Sequence, residues 1–363
     1  MLESFNSPQN SVKRRYNDFV WLKRRLQEEY PACILPPLPE KQRLGNENAY
    51  LDYLDRFNPE FIAKRQVALN RFVEHLAIHP IIQKSDVLRA FLETPYLPIE
   101  NAKKDSIMDN LSDAVLNAFS KLQNPDEKFL QMKSNVSILD DHLRVLDRIA
   151  SKILQDERNV SLKLAEAGLR YQELNEESPE LSGNIEKFTE VLKIGSEEMD
   201  RLAAKQETGL FVLLKEYIQY CRNAKVTLKS RDQRQLDYED LSEFLKNHVA
   251  EREKIASLRP GQTANFSGFI HKKIDDMKGV DQVRAKQSKL VKLDGKIKDL
   301  QQEVNASKEI SQSFDAHLTK EFQFFESIKV KDFKKNLLDA SKAHHEYHKT
   351  MYETWKNLLE QVE

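Results

Sequence analysis

The sequence predicts a mostly α protein: a small α+β domain in the first hundred residues, then a long three-helix antiparallel coiled-coil bundle. Three observations carry this. Phe129, Val136, Leu143, Ala150, Leu164 and Tyr171 fall on one seven-residue register, and Met132, Leu139, Leu146, Ile153, Val160, Ala167 and Leu174 follow three residues behind, with only Glu157 interrupting. Such a repeat draws one apolar seam along a helix of about 70 Å, which needs partner helices of similar length. Only 9 Gly and 12 Pro among 363 residues, with 32% charged residues, favour long helices over turn-rich β structure. The first hundred residues instead alternate short amphipathic stretches with a proline run.

Met1 to Asn10 is polar and reads as a loop or frayed terminus, and Val12 as the end of a strand. Phe19, Leu22 and Leu26 are helically spaced, with Asn17 or Asp18 near the N-cap. Ile34-Leu35-Pro36-Pro37-Leu38-Pro39-Glu40-Lys41 predicts a polyproline-like crossover with a lysine at its far end; a displayed SH3 ligand is the alternative. Phe61, Leu69, Phe72 and Leu76 mark the inward face of a second helix, with Lys64, Arg65 and Arg71 on other faces. Val87, Leu88, Phe91 and Leu92 make a last short helix before Pro95 and Pro98.

Arg14-Arg15-Tyr16-Asn17-Asp18-Phe19, then Pro36-Pro37-Leu38-Pro39-Glu40-Lys41, then Arg65-Gln66-Val67-Ala68-Leu69 resemble, in order and spacing, the three phosphoinositide-binding stretches of a PX domain. The resemblance implies that Arg15 grips the 3-phosphate of phosphatidylinositol 3-phosphate and that Tyr16 packs under the inositol ring. It also implies that Lys41 meets the 1-phosphate and Arg65 holds ring hydroxyls. The chemistry agrees, since a guanidinium offers phosphate oxygens a planar fork and an ammonium a compact charge. Tyr50 and Leu51 lie where the family places a loop that dips into lipid, which makes them membrane-contact candidates. Only 13 residues precede Arg14, fewer than the family's two leading strands need, so either the first strands are missing or the domain starts in an unusual way.

These readings divide the chain into a phosphoinositide-binding domain over 1–98, a linker over 99–125 and a helical region over 126–363. Within the linker Ile107, Met108, Leu111, Val115, Phe119 and Leu122 share a helical face that suits either a bilayer interface or packing on a domain. The long helices are expected over about 126–177, 179–258 and 280–362. Arg222, Lys225, Lys229, Arg231 and Arg234 cluster in the second against a single nearby acid, Asp232, and are candidate membrane contacts. Long helices of this kind after a PX domain resemble a BAR domain, and Phe322 to Phe325, Lys331-Asp332-Phe333 and Trp355 look like its third helix. The whole chain is thus similar to the PX-BAR sorting nexins. Tyr16 to Leu22, Tyr30-Pro31-Ala32-Cys33 and Arg56-Phe57-Asn58-Pro59-Glu60-Phe61 point to the fungal, autophagy-related type.

Composition narrows the function classes. With 57 basic against 58 acidic residues, a general nucleic-acid surface is not expected. Cys33 and Cys221, far apart, fit a reducing compartment rather than a disulfide framework. There is no signal-peptide core and no long apolar run, so a cytosolic protein with peripheral membrane contact is expected. His344, His345 and His348 lack the thiol and acid partners of a metal site and read as surface or dimer-seam residues. No enzyme activity, cofactor or metal is expected. The resemblance implies an adaptor on endosomal and pre-autophagosomal membranes that binds phosphatidylinositol 3-phosphate and senses or makes curvature in cargo recycling and autophagy. Its partners would be such membranes, cargo proteins, and either a second copy or another PX-BAR sorting nexin in a BAR dimer. The rival expectation is a structural coiled-coil tether whose N-terminal domain binds protein rather than lipid.

Overall fold

The structure, a computed structural model, describes residues 10–39, 59–97, 122–123, 125–177, 182–257 and 279–362. Helix α1, Tyr16–Glu29, starts where Arg15 takes an extended N-cap conformation. There the Asp18 carboxylate accepts the Arg15 N–H at 2.6 Å while Asp18 N–H donates to Arg15 O at 2.9 Å. An acid in the first turn also suits the positive end of the helix dipole. Helix α2, Pro59–Ile78, opens on a proline, whose missing N–H costs nothing at that position. A 3-10 turn, Ile82–Lys84, leads to helix α3, Asp86–Glu93, whose cap Ser85 accepts the Val87 N–H at 3.2 Å.

Leu22 and Leu26 of α1, Phe72 and Leu76 of α2, and Leu88 and Phe91 of α3 close one core with Cys33, Leu35 and Ile82. Phe19 joins it edge-on against Phe91, ring centroids 5.0 Å apart. Pro36 and Pro37 are buried beside this core, so the crossover is part of the fold rather than a displayed ligand. The expected α+β character is not seen: among the described residues there is no strand, and residues 10–15 run as coil. A strand is defined by its ladder, and Val12 has no partner strand there.

The remaining elements are helices α4, Glu127–Glu177; α5, Ser182–Gln206; α6, Val212–Ser257; and α7, Gly279–Val362. A five-residue π turn, Glu207–Phe211, joins α5 to α6. The seam of α4 departs from expectation. Val136, Leu143 and Ala150 are buried, but the buried positions off their register, Asp140, Ser161 and Gly168, fall four residues after its Val136, Glu157 and Leu164 rather than three. Leu146, Ile149, Ile153 and Val160 remain 45–52% exposed. The apolar surface of α4 is therefore wider than one seam, and among the described residues its second side stays exposed.

The chain forms two compact units, Met1–Lys104 with Leu130–Lys225 and Glu321–Glu363, and Asp105–Phe129 with Val226–Lys320. In the first, Tyr217, Tyr220 and Phe325 are buried together, with centroids 5.2–6.2 Å apart. In the second, Phe129, Leu228, Phe314 and Leu318 are buried.

Candidate functional site

The two adjacent arginines ahead of α1 have different fates. The Arg14 guanidinium turns onto the C-terminal end of α3 and donates to Phe91 O at 2.8 Å, to Ala90 O and Pro95 O at 3.4 Å, and to Thr94 O. It pairs Phe91 O, for which Pro95 has no N–H to offer, and shares Ala90 O with the Thr94 N–H. Arg15 is exposed, and among the described residues no carboxylate pairs with its guanidinium. Beside it Tyr16 is half-buried, its hydroxyl donating to Pro39 O at 2.6 Å. The Arg65 guanidinium of α2 lies over the Tyr16 ring, 4.7 Å from its centroid. Three stretches distant in sequence thus meet at one corner: the start of α1, the end of the proline crossover, and α2. One guanidinium covers the aromatic face there, and the exposed Arg15 is the next residue in the chain. Lys41, Tyr50, Leu51 and the face from Ile107 to Leu122 lie outside the described residues, apart from Leu122 itself, which is half-buried.

The basic cluster of α6 needs correction as a displayed membrane surface. In the first unit, Lys225 Nζ pairs with Asp140 of α4 at 2.6 Å, and Arg222 is half-buried. In the second, Arg231 is only 3% exposed and makes a bidentate pair with Asp315, at 2.8 and 2.9 Å. Its guanidinium also stacks 4.2 Å from the Phe129 centroid. Arg234 lies over Phe314 at 4.2 Å and donates to Ser230 O, and Lys229 Nζ is buried without a hydrogen-bond partner among the described residues. Arg231 is enclosed, and Lys225 and Arg234 are engaged, because carboxylates and rings far away in sequence fold onto them. Arg222, Lys225, Lys229 and Arg234 are all half-buried.

A second set of residues flanks the inward core at the C-terminal end of α2 and continues just past its last residue; of these the sequence reading names only Arg71. Arg71, His75 and His79, each four residues apart, meet three carboxylates of the long helices. Arg71 Nη1 is 2.6 Å from Glu216 of α6, His75 Nε2 is 3.1 Å from Asp332 of α7, and His79 Nε2 is 2.9 Å from Glu321 of α7. Tyr217 OH also donates to Asp332 at 2.7 Å. Burial raises the Glu216 carboxyl despite Arg71, the weaker influence. Burial also acts to raise Asp332, but the hydrogen bonds from His75 and Tyr217 outweigh it and leave that carboxyl below its ordinary value. The crossover is held as well: Ile34 N–H donates to Glu321 at 3.2 Å, and Asn223 Nδ2 of α6 donates to Leu35 O at 2.8 Å. The i, i+4, i+8 spacing was the available signal.

Comparison with known proteins agrees with this architecture. Residues 2–95 match the PX domain family, and residues 104–279 match the family described as Vps5 C terminal like. Sorting nexin-4 of Neurospora crassa is 30% identical over 99% of this chain and 78% of its own length. Sorting nexin-4 of Gibberella zeae is 30% identical over 99% and 80%, and that of Aspergillus fumigatus 28% over 99% and 76%. Among solved structures, the cryo-EM structure of the SNX-BAR Mvp1 tetramer superposes with a TM-score of 0.56 over 97% of this chain and 90% of that one, at 19% identity, which speaks to the fold. No described helix is long and apolar enough to cross a membrane. With PX and BAR-type regions in series and relatives of one kind along nearly its full length, the chain belongs to the sorting nexin-4 family of PX-BAR sorting nexins.

Proposed function

We propose that this protein is a non-enzymatic adaptor that binds phosphatidylinositol 3-phosphate through the corner formed by Arg15, Tyr16 and Arg65, with Lys41 completing the headgroup site. PX domains bind phosphoinositide membranes, and SNX-BAR proteins form dimers or oligomers. The observation that carries the reading is the meeting of Tyr16, Pro39 and Arg65, with the exposed Arg15 beside them. On this reading Arg15 forks the 3-phosphate, the Tyr16 face supports the ring, and Arg65 reaches its hydroxyls. The uncovered side of α4, with Leu146, Ile149, Ile153 and Val160, supports assembly with a second BAR-bearing chain, either a copy or another PX-BAR sorting nexin. Such a dimer carries two headgroup sites on a helical scaffold that senses or makes curvature, which suits cargo sorting and autophagy at endosomal and pre-autophagosomal membranes.

Flotation with vesicles containing phosphatidylinositol 3-phosphate tests this. Arg15→Ala is expected to lose about 1.5–3 kcal/mol of headgroup binding. Wild-type binding by that variant would remove the assignment.

A further inference from the structure

Cys33, His79 and Glu321 are the one group of metal-ligand types gathered among the described residues, all buried, with ligand atoms within 4.8 Å of one another. Their protons do not suit a metal. His79 Nδ1 lies 3.2 Å from the N–H groups of both Ile81 and Ile82 and accepts from them. The ring proton therefore sits on Nε2 and is donated to Glu321. A ligating imidazole keeps its proton on the nitrogen turned away from the metal, and here that nitrogen already faces two donors. Burial, reinforced by the Glu321 charge, also pushes the Cys33 thiol upward, away from the thiolate that a metal needs.

The same cluster has a clear mechanical place. We infer that Arg71, His75 and His79, with Glu216, Asp332 and Glu321, are positioning residues that fix the direction in which the Arg15–Tyr16–Arg65 corner faces relative to α6 and α7. The purpose of this device rests on the lipid-binding reading above; its existence rests on the contacts alone. Helix α2 carries Arg65, Arg71 and His75, and His79 follows its last residue, so any turn of α2 on the long helices swings Arg65 with it. One contact is a pivot, whereas contacts at two successive turns and a third just past the helix end fix a helix against rotation. The other half of the corner is tied down independently. The crossover is gripped at Ile34 by Glu321 and at Leu35 by Asn223, and it ends at Pro39, whose carbonyl holds the Tyr16 hydroxyl. Both halves of the corner are thus anchored to the same two long helices. A membrane-bound dimer needs this. Two headgroup sites add avidity only when both face one surface, and that gain vanishes when geometry forbids simultaneous contact.

The test is a charge exchange at the most accessible rung. Full-length wild type, Arg71→Glu, Glu216→Arg and the double Arg71→Glu/Glu216→Arg are compared in three measurements. Soluble inositol 1,3-bisphosphate is titrated by calorimetry, vesicles containing phosphatidylinositol 3-phosphate are floated, and hydrogen exchange is followed at residues 33–35 and 79–82. Each single variant is expected to bind the soluble headgroup within about twofold of wild type, to bind vesicles ~10-fold more weakly, and to exchange faster in both segments. The double variant is expected to recover vesicle binding and protection together. Single variants that float like wild type would overturn the inference, as would a double variant that recovers neither. If wild type itself fails to bind the soluble headgroup, the lipid reading falls, and the exchange pattern alone decides whether the rungs dock α2. A separate addition of zinc to wild type is expected to leave thermal unfolding unmoved; zinc stabilisation abolished by Cys33→Ala would replace the positioning role with a metal site.

Discussion

Helix α2 meets its surroundings in two ways, and they treat a cation differently. At Arg65 the guanidinium lies on an aromatic ring beside the exposed Arg15. Less than two turns later Arg71, and then His75 and His79, are drawn into a surface where each meets a carboxylate. Composition does not separate the two faces; what stands opposite does. Where the fold places an acid against a base, the pair contributes to docking. At the corner it places a ring against Arg65 and leaves Arg15 exposed. The α6 cluster repeats the lesson, because Arg231 has Asp315 and Phe129 opposite it and is closed to solvent.

The contrast is broken most directly at Glu321. Its carboxylate accepts from Ile34 N–H and from His79 Nε2–H, all within the buried junction. Glu321→Ala leaves both donors without an acceptor, and we expect about 3 kcal/mol of lost stability, read as a lower midpoint in chemical denaturation. Glu321→Gln keeps an acceptor and is expected to recover part of that loss. An unchanged midpoint in Glu321→Ala would mean that this face is no more committed than the headgroup corner.

Arg15 gives the converse result. Its side chain is exposed, so Arg15→Ala is expected to change stability by no more than about 0.5 kcal/mol while weakening headgroup binding as described above. Loss of stability and loss of binding should therefore fall on different residues of one small domain. A large drop in the unfolding midpoint of Arg15→Ala would show that Arg15, like Arg14, serves the fold.

How much of this was legible in the sequence follows the same division. The corner was readable because Arg15-Tyr16, the proline run and Arg65 are local motifs with a fixed order. The long helices were readable from their repeats and from the scarcity of glycine and proline. The docking face was not, because its acids lie 145 and 242 residues from Arg71 and His79. The α6 cluster was read as surface for the same reason: a local count found Asp232 but not Asp140, 85 residues back, or Asp315, 84 residues on. On α4 the seam was half-read. Polar Asp140 and Ser161 occupy the inward column, so an apolar count chose Leu146, Ile153 and Val160, which face outward.

A finer probe of the corner is Tyr16→Phe. It deletes the hydroxyl that reaches Pro39 O at 2.6 Å but keeps the ring under Arg65. Removing one such bond is expected to cost about 1 kcal/mol. If the hydroxyl steadies the end of the crossover, that cost appears in headgroup affinity, because Lys41 follows two residues later. Tyr16→Ala removes the ring as well and should weaken binding further. Equal affinities for Tyr16→Phe and wild type would confine the role of Tyr16 to its face.

The smallest effect is a change in reactivity rather than in energy, and it follows the two buried cysteines. Cys33 lies at the docking junction, and Cys221 lies in α6 with no exposed surface. Burial pushes the Cys221 thiol up to about 12, and Cys33 is raised by the same cause, so near about pH 8 both are thiols rather than thiolates. The sign follows. A raised thiol pKa means that the folded chain holds its proton more tightly than the unfolded one. This contribution to stability is complete below the unfolded value of about 8.5 and is lost as pH rises towards about 12. At about pH 8 neither thiol should therefore react appreciably with iodoacetamide until the chain opens. In Arg71→Glu, where the junction loosens and the bundle stays folded, Cys33 is expected to become alkylated while Cys221 stays protected, a difference that peptide mass spectrometry resolves. Equal and rapid labelling of both in wild type would contradict their burial. Equal protection of both in Arg71→Glu would mean that the junction holds with that rung removed, and that the two faces of α2 differ less than their contacts indicate.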